Sequence, residues 1–348
     1  MKLHNFDFSK KVFYHPEQIV AYKQNKRPFP ITMEIDLTNR CNHKCTFCFY
    51  AEHISVDKST LNTDMLKSRI SEARNLGCKG ISFTGGGEPT LHNNFIEILK
   101  HTKDCGIDCG LITNGSVIHK FTEDLVTNLK WIRISLAGGD SVSYQKVQGV
   151  DQFDKIIRNI KLLSEVKVNL KGNLNIGVRV LVTPENIESL ENLVQLLKET
   201  SINYIQFAPD MFTDDGGEFW NSERTQKIFN HIGKILEKSS ILQLTAGYLN
   251  HQQNLDYVST CYAHSFQGAI SAEGNLLFCK NARDEKKFTI GNIYEKSLTD
   301  IWADSINTTL ESYITPSNCG LFCKCMQLNV AMQDSLHPSD DMSPNFVT

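Results

Sequence analysis

The chain has no apolar run near the roughly 18 residues that a membrane-crossing helix needs. Its start, MKLHNFDFSKKVFYHPEQIV, has no apolar core of the kind a secretory signal carries. It has no surplus of positive charge: 36 Lys and Arg stand against 39 Asp and Glu, a formal net charge of −3, and no polybasic run breaks that balance. These absences argue against a nucleic-acid or lipid partner, and the expectation is a cytoplasmic protein. Solenoid repeats and low-complexity tracts are missing too. So are the usual phosphate loops. No G-K-[ST] follows the glycine-rich stretch SFTGGGEPT (82–90), and G-x-G-x-x-G fails there because Thr90 stands where the last glycine belongs.

What the chain has in quantity is cysteine, 11 in 348 residues. The number is odd, nothing marks the chain for export, and the cytosol keeps thiols reduced. Tight cysteine clusters then point to metal rather than to disulfides.

From about residue 31 to 240 the pattern alternates strand and helix. ITMEIDL (31–37), KGISFTG, IDCGLIT, WIRISLA, LNIGVRVLV and INYIQFA read as strands. The segments 62–77, NNFIEILKHTKDCG, VIHKFTEDLVTNL, QFDKIIRNIKLLSEV, PENIESLENLVQLLKET and SERTQKIFNHIGKILEKS read as helices. Six strand–helix units predict an α/β fold with a parallel sheet, either doubly wound or a partial barrel, with ligands at the carboxyl ends of the strands. Four regions are expected: a lead-in over 1–30, a core over 31–240, a Cys-rich domain over 245–330, and a polar tail over 331–348.

Two features sit at strand ends. After the first strand comes TNRCNHKCTFCFYAEH (38–53), with Cys41, Cys45 and Cys48 spaced C-x3-C-x2-C. A structural zinc wants four ligands and no fourth is at ribbon spacing; His43 and His53 read as solvated loop histidines. Three cysteines on a [4Fe–4S] cube leave one iron open to a substrate or cofactor. After the second strand, Gly85, Gly86 and Gly87 let backbone approach a ligand closely. Glu88 beside them would repel phosphate and suits an ammonium group.

The C-x3-C-x2-C spacing after the first strand, with the aromatic Phe47 before the third cysteine and a GGEP loop after the second strand, resembles the radical S-adenosylmethionine (radical SAM) superfamily. The resemblance implies a partial (β/α)6 TIM-type barrel and a [4Fe–4S] cluster that binds S-adenosylmethionine. It implies that Gly85, Gly86, Gly87 and Glu88 hold the methionine amino group. Thr113 and Asn114 of LITNGS and Ser135 of RISLAGGD would lie near the ribose and carboxylate, and VRVLVTPEN near adenine. Relatives often carry an arginine in RGxxGxF that reaches the cofactor carboxylate; here Gln148 stands in that place, with Lys146 the possible substitute.

A second set follows: Cys261, Cys279, Cys319, Cys323 and Cys325. CYAHSFQGAISAEGNLLFCK reads as two strands around a Gly274 turn with a cysteine near each end, and GNIYEKSLTDIW as a turn and an amphipathic helix. Four thiolates here could hold Zn²⁺ or a fully ligated [4Fe–4S] cluster, and spacing does not separate the two. The segment resembles the SPASM/Twitch auxiliary domain of radical SAM enzymes, which implies a small Cys-rich C-terminal domain and a second, auxiliary [4Fe–4S] cluster. Four of the five would be ligands: Cys261 and Cys279 first, then Cys323, with Cys319 or Cys325. Cys78, Cys105 and Cys109 lie outside both sets and read as small core hydrophobes.

The resemblance implies an enzyme that cleaves S-adenosylmethionine reductively and takes hydrogen from a small metabolite or a peptide, served by an electron donor such as flavodoxin or ferredoxin. The 30-residue lead-in is shorter than a peptide-recognition domain. It tilts the expectation to a metabolite, or to a peptide maturase working with a separate recognition protein. Asp210, Asp214 and Asp215 after the sixth strand could meet a cationic or hydroxylated substrate. The rival from another class is a zinc-binding scaffold without catalysis, for which the glycine–glutamate loop has no use.

Overall fold

In the computed structural model the described residues are 9–24, 26–210, 218–236, 242–244, 257–258, 260–280, 288–305, 323 and 325–337. Ten strands form one sheet: β1 Thr32–Asp36, β2 Gly80–Thr84, β3 Asp108–Thr113, β4 Trp131–Ser135, β5 Asn175–Val182, β6 Tyr204–Pro209, β7 Leu242–Leu244, β8 Gln267–Ile270, β9 Asn275–Leu277 and β10 Thr289–Asn292. Their order is β10-β9-β8-β1-β2-β3-β4-β5-β6-β7. From β1 to β7 every pairing is parallel, in sequence order. This is the partial (β/α) barrel expected, extended by a seventh strand that periodicity did not reveal. No described helix is long and apolar enough to cross a membrane.

Alternation sets which face each side chain takes. In β1, Met33 and Ile35 are buried among Leu66 and Ile70 of helix Thr63–Asn75. Glu34 and Asp36 take the other face and pair in register with Ser82 and Thr84 of β2. On β4 and β5 that face carries Arg133, Ser135 and Arg179. One face is thus apolar and packed on helices, and the other is polar and lines the barrel.

The helices follow their local signals. Asn62 accepts a hydrogen bond from the Met65 N–H and opens helix Thr63–Asn75, and Ser222 does the same for Glu223–Ile235 through the Thr225 N–H. Two predicted helices begin late. The helix read from Pro184 starts with a 3-10 turn at Ile187–Ser189 and continues as Leu190–Leu197. Asn186 delays it by accepting from the Thr183 N–H at 2.9 Å and donating to the Leu181 carbonyl at 2.7 Å, which ties residues 183–186 into a turn. The segment from 117 likewise splits into Ile118–Lys120 and Thr122–Asn128.

The C-terminal cysteines flank an extension of the core sheet. Strand β8 pairs parallel with β1, and β9 and β10 follow it antiparallel, with Gly274 at φ +87° in the β8–β9 turn. Beneath this extension lies a second apolar cluster of Val12, Ile31, Val258, Tyr262, Phe266, Met326 and Met332. The lead-in therefore has structure, a 3-10 helix Ser9–Tyr14 and a helix Pro16–Lys23, with Tyr22 against Tyr262 and Phe266. Helix Met326–Leu336 crosses the position where the polar tail was expected to begin, with Asn329 and Met332 fully buried.

Candidate functional site

The loop of Cys41, Cys45 and Cys48 leaves the end of β1 and is held from three sides. The β2 loop reaches it through Gly87 N–H to Thr38 O (3.1 Å) and Glu88 N–H to Arg40 O (2.9 Å). The β3 loop reaches it through Asn114 Nδ2 to Asn42 Oδ1 (2.8 Å) and Asn42 Nδ2 to Ser116 Oγ (2.9 Å). The third side is a helix the sequence reading missed, Ser141–Gln148. Asp140 and Ser143 open it with a capping box and Gly149 closes it in the left-handed region. Its last carbonyls accept from the loop, Gln148 O from Lys44 N–H (3.2 Å) and Val147 O from Thr46 N–H (2.9 Å).

The glycines are required by this packing. A Cβ on Gly87 would lie 2.3 Å from Arg40 O and 2.5 Å from Thr38 O, and Gly85, at φ +134°, brings its Cα close to Asp36. Glu88 is buried beneath this loop. It is 3% exposed. Its Oε1 accepts from Thr90 Oγ1 (2.5 Å) and Thr113 Oγ1 (2.6 Å), and its Oε2 from Asn114 N–H (2.7 Å). Thr113 and Asn114 are thus engaged with Glu88, and the three residues lock the β2 and β3 loops together. Burial raises the Glu88 pKa, and these hydrogen bonds oppose that rise. Ser135 ends β4 and is half-buried, as is Phe47 in the cysteine loop.

The three thiols act on one another. Burial raises the Cys41 pKa, with Glu88 and Cys48 adding to it. Cys45 is pushed up to about 12 by burial and then by Cys41 and Cys48. Burial raises Cys48 as well. Three convergent thiols that oppose one another's ionisation become thiolates together only around a cationic centre. That donor set suits an iron–sulfur cluster, and the loop between Cys41 and Cys48 supplies no fourth ligand.

Two histidines read as solvated are engaged. His43 is buried, with Nε2 2.7 Å from the Tyr144 hydroxyl. Burial and then Lys155 lower its pKa to about 4, so it is neutral and ties the cysteine loop to helix Ser141–Gln148. His53 lies 2.9 Å from Glu273 Oε1 in the β8–β9 turn. Asn39 Nδ2 donates to the same Glu273 oxygen (2.5 Å) and to Asp57 Oδ1 (2.9 Å). Gln148, which stands where relatives often carry the arginine, is fully buried. Its Oε1 accepts from Ala137 N–H at 2.6 Å, and its Nε2 is buried with no hydrogen-bond partner among the described residues. Lys146 is exposed, on a surface hollow with Asp140, Glu185 and Glu188. Asp210 is buried at the end of β6; Asp214 and Asp215 lie outside the described residues.

At the other cysteine set the structure brings Cys261, Cys279, Cys323 and Cys325 together. Burial pushes Cys261 up to about 12, with Cys325 and Cys279 adding to it. Cys323 is raised by its hydrogen bond to Cys325, by burial, and by the charges of Cys325 and Cys261. Cys319 lies outside the described residues. Cys78 and Cys109 are buried in the apolar core, and Cys105 packs against it.

Comparison with known proteins fits this geometry. Residues 35–237 match the family model of the radical SAM superfamily, and residues 261–326 match that of the SPASM iron–sulfur cluster-binding domain. The chain is 25% identical over 328 residues to the "Tungsten-containing aldehyde ferredoxin oxidoreductase cofactor-modifying protein" of Pyrococcus furiosus, covering 84% of this chain and 87% of that one. It is 31% identical over 262 residues to a "Probable GTP 3',8-cyclase" of Thermococcus kodakarensis, covering 72% and 80%. Among solved structures, Streptococcus suis SuiB bound to precursor peptide SuiA superposes with a TM-score of 0.64 at 18% identity, over 87% of this chain and 71% of that one.

Proposed function

The chain belongs to the radical SAM superfamily, and we propose that Cys41, Cys45 and Cys48 are the ligands of its S-adenosylmethionine-binding [4Fe–4S] cluster. Held there by the three thiolates, the cluster would supply the electron for reductive cleavage of S-adenosylmethionine, the chemistry that initiates hydrogen abstraction from a substrate. The observation that carries the assignment is the seating of the three-cysteine loop on the glycine loop, where Gly87 N–H and Glu88 N–H donate to Thr38 O and Arg40 O and a Cβ on Gly87 would clash with both oxygens.

The chain's own residues then have defined tasks. The backbone of Gly85–Gly87 offers carbonyls to an ammonium group, and Glu88 holds that loop in place from behind through Thr90, Thr113 and Asn114. His43, neutral and bonded to Tyr144, fixes the cysteine loop without competing for metal. The polar face of β1–β6 lines the reaction cavity and holds Glu34 with Lys280 at 3.2 Å. Burial raises the Tyr204 pKa there, while Arg133 and Arg179 pull it down. Helices on the far face keep water from the sheet.

We assign the auxiliary cluster to Cys261, Cys279, Cys323 and Cys325, the cysteines of this set that lie together among the described residues. A peptide or a small metabolite is the proposed substrate class, the range spanned by the cofactor-modifying relative and by SuiB with its precursor peptide. The proposed electron donor is a flavodoxin or a ferredoxin.

Iron and sulfide analysis of anaerobically reconstituted protein tests the ligand sets. About eight irons are expected for the wild type, and about four for a Cys41→Ala/Cys45→Ala/Cys48→Ala variant. Zinc in place of iron would instead support a scaffold.

A further inference from the structure

Asn329 lies on helix Met326–Leu336, one turn beyond Cys325, and its backbone N–H donates to the Cys325 carbonyl at 3.0 Å. Its side chain is wholly buried. Oδ1 accepts from the backbone N–H groups of Tyr262 (2.9 Å) and Ala263 (2.8 Å). Both partners are obligate donors, so the atom facing them is oxygen and the amide cannot be reversed. The position of the other end follows. Nδ2 lies 3.9 Å from Cys261 Sγ and 3.9 Å from Cys323 Sγ.

A carboxamide has two N–H bonds, and two sulfurs face them. A neutral thiol is a weak acceptor, whereas a sulfur carrying negative charge is a good one. A buried NH₂ whose hydrogens meet sulfur is well satisfied only when those sulfurs are charged. The helix N-terminus, just after Cys325, favours negative charge in the same place.

We propose that Asn329 is a positioning residue of the auxiliary centre that raises its reduction potential by donating N–H···S hydrogen bonds to Cys261 and Cys323. The inference rests on the auxiliary ligand set assigned above. Reduction adds negative charge, part of it on sulfur, so donors aimed at the ligand sulfurs favour the reduced state. Removing them lowers the potential.

The test uses the full chain carrying Cys41→Ala, Cys45→Ala and Cys48→Ala, which leaves the auxiliary centre as the remaining iron site. Iron is counted and the midpoint potential is read by redox titration followed by EPR. Asn329→Leu is expected to titrate below the parent. Asn329→Asp is expected lower still, because a carboxylate then faces the ligand sulfurs. A role confined to packing gives the opposite order, since Asp keeps the acceptor for Tyr262 and Ala263 and would stay nearest the parent. That order, or no shift, overturns the proposal. Asn329→Ser keeps one hydroxyl donor, is expected between the parent and Asn329→Leu, and serves if the Asp variant does not fold. A parent without iron overturns the proposal together with the ligand assignment. A parent with about four irons and unshifted variants overturns the proposal alone.

Discussion

A single methyl group separates a working cysteine loop from a broken one. The built Cβ at Gly87 meets two backbone oxygens, those of Arg40 and Thr38, and neither can move without dragging Cys41. Gly87→Ala is therefore expected to cost about 1–3 kcal/mol of stability, as overpacking does, and to lose the first cluster while the auxiliary one stays. Iron should fall from about eight to about four. Gly80→Ala at the start of β2, whose Cβ would make only ordinary contacts from 3.6 Å outward, should keep the full complement. Equal iron in both variants would contradict this account. Gln148 gives a second test at this scale. Its side-chain oxygen accepts from the Ala137 N–H, and its backbone carbonyl accepts from Lys44 N–H in the cysteine loop. Gln148→Leu leaves the buried Ala137 N–H without its acceptor and is expected to loosen the end of the helix that carries the cysteine loop, speeding bleaching of the first cluster by an iron chelator several-fold, about 1 kcal/mol of lost hydrogen bonding; an unchanged rate would count against that anchor.

The elements around the site explain what a sequence can and cannot disclose. The strand–helix units were legible because period-2 and period-3.6 patterns report burial directly. The C-x3-C-x2-C spacing was legible because its ligands are neighbours in sequence. Helix Ser141–Gln148 was missed although its cap, Asp140, and its stop, Gly149, are ordinary signals, because its 8 residues give a 3.6-residue period little more than two turns in which to show. The roles of His43 and His53 were illegible, because their partners are Tyr144 and Glu273, distant in sequence. Glu273 also makes an element-scale prediction. It couples the β8–β9 turn to the cysteine loop through Asn39 and His53. Burial pushes its carboxyl up, but hydrogen bonds from Ser271, His53 and Asn39 more than offset this, so its folded pKa lies below 4.5. A depressed carboxyl pKa contributes stability above the unfolded value, and that contribution is lost as pH falls through the folded value. The advantage of wild type over Glu273→Gln, about 1–2 kcal/mol near neutrality, should therefore shrink on acidification. Thermal unfolding from about pH 7 to about pH 2.5, through the window below the ordinary carboxyl value, measures it, and a constant difference would refute the coupling.

At the scale of the whole molecule, one sheet carries both cysteine sites. Strand β8 leans on β1 in parallel register, so the auxiliary segment is built onto the strand that leads to Cys41. Arg27 helps clamp this arrangement, with its guanidinium 4.0 Å from the centre of the Phe278 ring and its Nη1 donating to Ser305 O at 2.6 Å. Arg27→Ala is expected to destabilise the chain by about 2 kcal/mol in denaturant titration, from cation–π and hydrogen-bond losses together. The continuity of the sheet was not legible in the sequence, where the composition shift near 245 read as a boundary. The Cys261–Cys325 convergence depends on it, since the two lie far apart along the chain and meet only through β8 and helix Met326–Leu336. The most direct measurement is 5′-deoxyadenosine formed from S-adenosylmethionine and a strong reductant, by wild type and by the Cys41→Ala/Cys45→Ala/Cys48→Ala variant, both folded and both with iron counted. The account requires cleavage by the wild type and none by the variant, with about four irons still bound in the latter. Cleavage that survives loss of the three thiols, or a wild type that binds four-iron clusters and cleaves nothing, would contradict it.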